Sequence, residues 1–401
     1  MPKNTFFTGQ PVFTQLLSLI PNHLIAKSAS DNHSNHYYKK FKAYDHLITM
    51  LYACFHRCQS IREVITGMQA NYNKLAHLGV RSLPRRSTFA EANASRNSAF
   101  FEQLYHSLNK HYHRSLPDSR KPTLENRLFL MDSTTISLFT DVMKGAGSIG
   151  ANGRKKGGAK AHVLLNAGQD LPVLIKLTES SRNDRVFMPE VKLPAGSILV
   201  FDKGYHNFAR WQQWTEQKIN WVTRLIDNEC VEIIATRTIT DKESEKGVCL
   251  DQRIILGRGS NSSTKRIGVR LVTFKDQESG KTFKFLTNNF RFKASTVAEL
   301  YRKRWQVELF FKRLKQNSPL TFFLGDNENA IKIQIWCAFI ADLLIKIVKE
   351  RLKKKWSFAN LSALIKHHLM NYLHLINFLN NPDKILLTYE QSDVTPLLFD
   401  Q

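Results

Sequence analysis

Leu128-Phe129-Leu130-Met131-Asp132-Ser133-Thr134-Thr135-Ile136-Ser137-Leu138 is an apolar run that ends in an acid and continues into β-branched residues. That composition reads as a strand. The pattern returns at Ser197-Ile198-Leu199-Val200-Phe201-Asp202, a second apolar strand ending in aspartate. Between them, a Gly-rich basic loop (Gly153-Arg154-Lys155-Lys156-Gly157-Gly158) precedes strand-like runs near Ala159–Asn166 and Leu171–Leu177. A helix follows near Arg185–Lys192, with Asn183 or Asp184 as its cap. A further helix at Asn207–Lys218 and a fifth strand at Trp221–Ile226 complete a layered α/β unit.

Outward from this unit the text changes in both directions. Toward the C-terminus, Val231–Ile239, Gln252–Leu256, Arg266–Lys275 and Thr282–Leu286 are strand-like runs between polar or Gly-containing loops, a mainly antiparallel insertion at about 227–290. A long helix is expected from about Thr296 to Gln316, then a second helical region to about Leu379, whose basic run Lys349–Lys355 is a solvated or phosphate-facing surface. Toward the N-terminus, stripes such as Leu16-Leu17-Ile20 and His46-Leu47-Met50-Leu51-Cys54 recur with helical period over about 10–118. Within that region Pro84-Arg85-Arg86-Ser87-Thr88 precedes a helix start that Ser87 can cap. Arg85 and Arg86, with Arg96 beyond, suit the approach of a recognition helix, although a plain capped helix is the simpler reading.

Composition narrows the function. In 401 residues, 58 Lys and Arg against 34 Asp and Glu leave a net charge of +24, a self-repelling surplus that suits a polyanionic partner such as nucleic acid. The length suits two or three domains. Five cysteines without a C-x-x-C pair argue against a disulfide framework and for a reducing, cytoplasmic setting. Cys54 and Cys58 read as core residues. The longest apolar stretch, Ile333–Val348, contains Asp342 and Lys346 and reads as a buried helix, and no signal peptide is evident.

On a helical wheel of about 100° per residue, Tyr301, Arg304, Glu308 and Lys315 share one sector, with Lys312 beside them. Leu300, Val307, Phe310, Phe311 and Leu314 occupy a separate apolar sector. A surface helix with a Glu308–Lys312 pair would show the same pattern. The two strand-end acids weigh against that, because carboxylates at neighbouring strand ends converge at one sheet edge and a helix acid can complete an oxygen-rich site. Such a site suits two Mg²⁺ or Mn²⁺ ions and phosphoryl transfer.

Asp132-Ser133-Thr134, Asp202-Lys203-Gly204-Tyr205 and Tyr301-x-x-Arg304-x-x-x-Glu308-x-x-x-x-x-x-Lys315 together resemble the DDE transposases of bacterial insertion sequences, in the group with the Y-R-E-K signature (IS-four type). The resemblance runs from Gly9-Gln10-Pro11 through Pro84-Arg85-Arg86-Ser87-Thr88 to the helix after Glu308, and is loose beyond Asn317. It implies a ribonuclease-H-like catalytic domain at 121–325 that carries the β-rich insertion of about 227–290. A helical N-terminal DNA-binding domain at 1–120 and a helical C-terminal region at 326–401 would flank it. By resemblance, Asp132, Asp202 and Glu308 bind the metal ions and Tyr301, Arg304 and Lys315 hold phosphates of the element end. Trp305 stacks on an unstacked base or packs in the core, and His162 stands where the family often has a basic residue. Water would cut the element end and free a 3′-hydroxyl, which would then attack target DNA, on a homodimer holding paired ends. Two other readings remain: a tyrosine recombinase using Tyr205 or Tyr301, and a DNA-binding regulator with inactive motifs.

Overall fold

The computed structural model describes residues 7–80, 82–113, 127–137, 158–257 and 266–383. The Gly-rich basic loop 153–157 lies outside them. The chain divides into two compact units, one of residues 1–116 with 313–401 and the other of 117–312. In chain order the first unit opens with α1 (Val12–Leu17), α2 (Asn22–Asp31), α3 (Ala43–His56), α4 (Ile61–Ala70), α5 (Arg86–Ser95) and α6 (Ala99–Tyr112).

The second unit holds β1 (Leu128–Ser137), β2 (Gly158–Asn166), β3 (Leu171–Glu179), β4 (Ile198–Phe201), α7 (Phe208–Glu216) and β5 (Asn220–Arg224). The insertion then supplies β6 (Val231–Thr236), α8 (Asp241–Glu245), β7 (Val248–Leu256), β8 (Ile267–Lys275) and β9 (Thr282–Thr287), followed by α9 (Ala294–Arg302) and α10 (Trp305–Asn317), whose residues from Arg313 on are counted with the first unit. The nine strands form one sheet in the order β3-β2-β1-β4-β5-β9-β8-β7-β6. In its first five strands β3, β2 and β1 are antiparallel, while β1, β4 and β5 are parallel. This order and polarity is the ribonuclease-H-like arrangement. The insertion is not a detached sheet, because β9 pairs antiparallel with β5 and carries the core sheet onward.

Local chemistry explains the strands. β4 is Ile-Leu-Val-Phe, buried at every position, as a central parallel strand covered on both faces must be. Phe201 meets Trp211, Trp214 and Trp221, all fully buried, and the rings of Trp211 and Trp221 pack at a tilt of 35° with centroids 5.0 Å apart. This aromatic cluster anchors the strand that delivers Asp202. Asn183 accepts from the Arg185 N–H and caps a short 3₁₀ turn over 184–190, where an α-helix was expected.

The single helix expected from about 296 to 316 is two, α9 and α10. At their junction the bonds tighten to three-residue spacing: the Arg304 N–H donates to Tyr301 O (3.0 Å), Gln306 to Lys303 (3.0 Å) and Val307 to Arg304 (3.1 Å). Three-residue spacing eclipses side chains at i and i+3, so Tyr301 and Arg304 point the same way. Likewise α5 starts at Arg86 with Arg85 in the cap position and no side-chain cap bond, so Ser87 lies inside the helix.

The first unit closes with α11 (Glu328–Glu350), α12 (Phe358–His368) and α13 (Leu375–Asn380). The two helical ends of the chain, expected as separate regions, pack into this one unit, with α11 lying on α3 and α6. Tyr105 of α6 meets Trp336 and Phe339 of α11 at 5.8 and 5.7 Å between centroids. Asp342, buried in α11, is paired with Arg313 at 3.1 Å. No helix among the described residues is long and apolar enough to cross a membrane. All five cysteines are free; Cys54, Cys58 and Cys337 are buried, and Cys230 and Cys249 exposed.

Candidate active site

Strand register brings the first two acids together. The parallel pairing of β1 with β4 ends at Met131↔Phe201, so Asp132 and Asp202 are the next positions in line on neighbouring strands. Asp132 sits mid-strand, since β1 continues to Ser137 alongside β2. β4 stops, and its chain turns away with Tyr205 N–H donating to Asp202 O at 3.1 Å. One strand therefore runs on while its neighbour leaves, which opens the sheet beside both carboxylates.

The α9–α10 junction supplies the rest. Arg304 donates from Nη1 to Asp132 Oδ2 and from Nη2 to Glu308 Oε1, both at 2.6 Å. The Tyr301 hydroxyl donates to Asp202 Oδ1 at 3.1 Å, and Arg224 Nη2 approaches the same oxygen at 3.4 Å. Arg224 and Arg304 both lie near the Tyr301 ring, at 5.6 and 5.7 Å from its centroid. Arg304 Nε is buried and has no hydrogen-bond partner among the described residues.

The electrostatics follow from this packing. Burial, with the charges of Asp202 and Glu308 adding to it, pushes the Asp132 carboxyl up to about 6 against the opposing pull of Arg304. Burial also acts to raise Asp202, but Arg304, the Tyr301 hydroxyl and Arg224 outweigh it and hold that carboxyl below its ordinary range. Burial opposes the charge on Arg304, yet Asp132, Tyr301 and Glu308 raise its affinity for its proton above the usual value. Burial lifts the Tyr301 hydroxyl to about 12, so near neutral pH it is a donor and not a phenolate nucleophile. Tyr205 is enclosed and raised further by burial. Neither tyrosine is set out as a recombinase nucleophile.

Among the described residues no three His, Cys, Asp or Glu side chains converge to grip an ion as they stand. A guanidinium lies between two of the three acids instead. The donor set is hard oxygen, and the carboxylates already gather around a cation, so their chemistry fits a divalent ion once Arg304 moves aside.

The remaining expected site residues divide. Trp305 is 57% exposed at the first position of α10, which removes the packed-core alternative. Lys315 is exposed in the last turn of α10, about two turns beyond Glu308 on the same face. Arg85 and Arg86 are exposed at the start of α5. Arg96 turns inward, donating to Phe41 O and lying 4.1 Å from the Tyr38 ring centroid. His162, expected near phosphates, is instead fully enclosed. It pairs across the sheet with Ser133 and so shares the strand face opposite Asp132, against Thr178 (2.9 Å) and Phe187. Burial lowers it to about 4, leaving the ring neutral.

Two participants were not foreseen. Arg224 lies at the end of β5, where a lone arginine carries no sequence signal. Asp184, read only as a cap, accepts from Ser133 Oγ at 2.7 Å and from Lys160 Nζ at 3.3 Å, tying the residue after Asp132 to the turn following β3.

Comparison with known proteins gives the family. Residues 123–342 match the family model described as the transposase DDE domain, and residues 8–81 match a domain of unknown function, DUF4372. A chain of Sinorhizobium fredii named as a transposase is 31% identical over 264 residues, 66% of this chain and 71% of its own length. An insertion-sequence transposase of Geobacillus stearothermophilus is 31% identical over 229 residues, 57% of this chain and 58% of its own. One of Synechocystis is 26% identical over 265 residues, 65% of this chain and 71% of its own. The piggyBac transposase in a synaptic complex with hairpin DNA aligns over 97% of this chain and 85% of its own at 12% identity, with a TM-score of 0.41, too loose to carry an argument. A family match spanning more than half of the 401 residues, joined to a relative 31% identical over 71% of its length, makes this chain a member of the DDE transposase family and an enzyme of that type.

Proposed function

We propose that the chain binds the ends of its insertion sequence, hydrolyses one phosphodiester there and joins the freed 3′-hydroxyl to target DNA, with Asp132, Asp202 and Glu308 as the metal ligands. The observation that carries this is the shared cation: one guanidinium, Arg304, is bonded to Asp132 and to Glu308 at 2.6 Å, with Asp202 next in strand register. Two Mg²⁺ or Mn²⁺ ions bound by these acids would activate the attacking oxygen and stabilise the leaving one.

The chain's own groups then have distinct tasks. Arg304, whose Nε has no hydrogen-bond partner among the described residues, can leave the carboxylates and present its planar fork to a phosphate. Tyr301 orients Asp202 by donating to it, and Arg224 offsets its charge. Exposed Trp305 beside this turn can stack on a base, and Lys315 can meet a phosphate as a point charge. Exposed Arg85 and Arg86 at the start of α5 suit end recognition. Two ends cut and joined need two active sites, hence a homodimer on paired ends.

The test is cleavage of DNA taken from immediately beside the gene, with Mg²⁺ and with EDTA. Mg²⁺-dependent cutting that leaves no protein–DNA adduct supports the reading. A metal-independent covalent adduct would overturn it in favour of a recombinase.

A further inference from the structure

The turn between α11 and α12 has no part in the site described above. Lys349, Arg351, Lys353, Lys354 and Lys355 place five cations within seven residues, and the acid among them, Glu350, is paired with Lys346 at 3.0 Å. A helix C-terminus draws about half a unit of positive charge, far less than this cluster holds. Arg351, Lys353, Lys354 and Lys355 are all exposed.

The turn is also firmly mounted. Asn380 Oδ1 accepts from the backbone N–H of Lys353 (2.8 Å) and of Lys354 (3.2 Å). The Trp356 indole donates to Leu379 O at 2.8 Å, and Ser357 caps α12 by accepting from Asn360 N–H. Lys354 lies over the Trp356 ring at 5.3 Å and 3.6 Å from Asp383, an exposed carboxylate. Three consecutive lysines are thus held on a fixed backbone, so little chain entropy is lost when they meet a polyanion. A turn that only needed solubility would not require two successive backbone N–H groups and its tryptophan side chain to be held.

We propose that the Arg351–Lys355 turn is a second DNA-binding surface, which grips the phosphate backbone without reading sequence. The choice of DNA as the polyanion rests on the transposase reading. Lysines suit this role because an ammonium acts as a point charge on any phosphate.

The experiment measures binding of the full-length protein to a duplex of random sequence in EDTA, as a function of salt. The variants are Lys353→Ala/Lys354→Ala/Lys355→Ala, the same three changed to Arg, and Asn380→Ala, each checked for an unchanged melting curve at the binding temperature. The alanine variant is expected to bind at least about tenfold more weakly near 0.1 M salt, with a slope shallower by about two to three phosphate contacts. The arginine variant keeps the wild-type slope, and Asn380→Ala weakens binding with no change of charge. Wild-type affinity and slope in the alanine variant would overturn the proposal, as would loss of binding to anionic lipid vesicles with DNA binding intact. Failure of the wild-type protein to bind DNA at low salt would instead sink the proposed DNA-binding function on which it rests.

Discussion

Arg304 donates to Asp132 at 2.6 Å across 172 residues of sequence, and its other amino group holds Glu308 at the same distance. A metal ion held by the proposed ligands would therefore have to displace this guanidinium from the same oxygens. Replacing it by Ala leaves two half-buried carboxylates facing each other, and the metal-free protein is expected to lose several degrees of melting temperature, at about 2–4 °C per kcal/mol. Added Mn²⁺ should raise the melting temperature of Arg304→Ala more than that of the wild type. An equal shift in both proteins would show that Arg304 does not compete for the ligands. Arg304→Lys is expected to impair cleavage much more than DNA binding, because Lys lacks the planar fork.

Asp132→Asn, Asp202→Asn and Glu308→Gln each keep side-chain volume and remove a charged oxygen. Residues one step behind metal ligands change affinity or activity by about 10–100-fold, so loss of a ligand should slow single-turnover cleavage by more than about 100-fold. End binding in EDTA should be largely retained. A variant that still cuts near the wild-type rate would remove that residue from the ligand set.

Lys315→Ala is expected to weaken end binding and to reduce the salt slope by about one phosphate contact, a change of about 0.9. Salt titrations of wild type and variant decide it, and identical slopes would assign Lys315 to solvation of α10 alone.

A fragment of residues 1–116 is expected to be poorly soluble on its own. α3 is buried along most of its length and packs on α11, which lies more than 270 residues away in sequence. Each large apolar side chain left exposed costs about 1.5–3 kcal/mol of its burial energy. Co-expression with residues 313–401 should restore solubility and helical content by circular dichroism. A monomeric, cooperatively melting 1–116 fragment would contradict this.

Stability should fall with acid below about pH 6.5. Burial lowers His46 to about 3, with Asn93 opposing it through a 2.7 Å bond, and lowers His56 and His162 to about 4. Unfolding lets each ring take up a proton near its ordinary value of about 6.5. Between roughly pH 6.5 and 4 the unfolded chain thus holds more protons, and each histidine withdraws on the order of 1 kcal/mol of stability per pH unit. His46→Gln keeps a partner for Asn93 and should flatten the decline in melting temperature from pH 7 to 5. A decline as steep as that of the wild type would exclude His46 as a source.

Local pattern was enough to find the strands that matter. Apolar runs ending at Asp132 and Asp202, helical stripes at both ends of the chain and the fixed spacing Tyr301–Arg304–Glu308–Lys315 are short-range features, because strand and helix periods repeat within a few residues. They made the α/β unit and the β-rich insertion legible in the sequence and singled out the three acids as candidates.

The tertiary structure decided what depends on contacts distant in sequence. Strand register set Asp132 beside Asp202, and the pairing of β5 with β9 merged the insertion into the core sheet. A three-residue hydrogen-bond step at Arg304 broke the expected helix and turned Tyr301 and Arg304 onto the acids. Packing of α11 on α3 and α6 made one unit from the two ends of the chain, and the alternation of β2 sent His162 to the face away from Asp132. No window of sequence contains these outcomes, because each arises from surfaces and charges that meet only after the chain has folded.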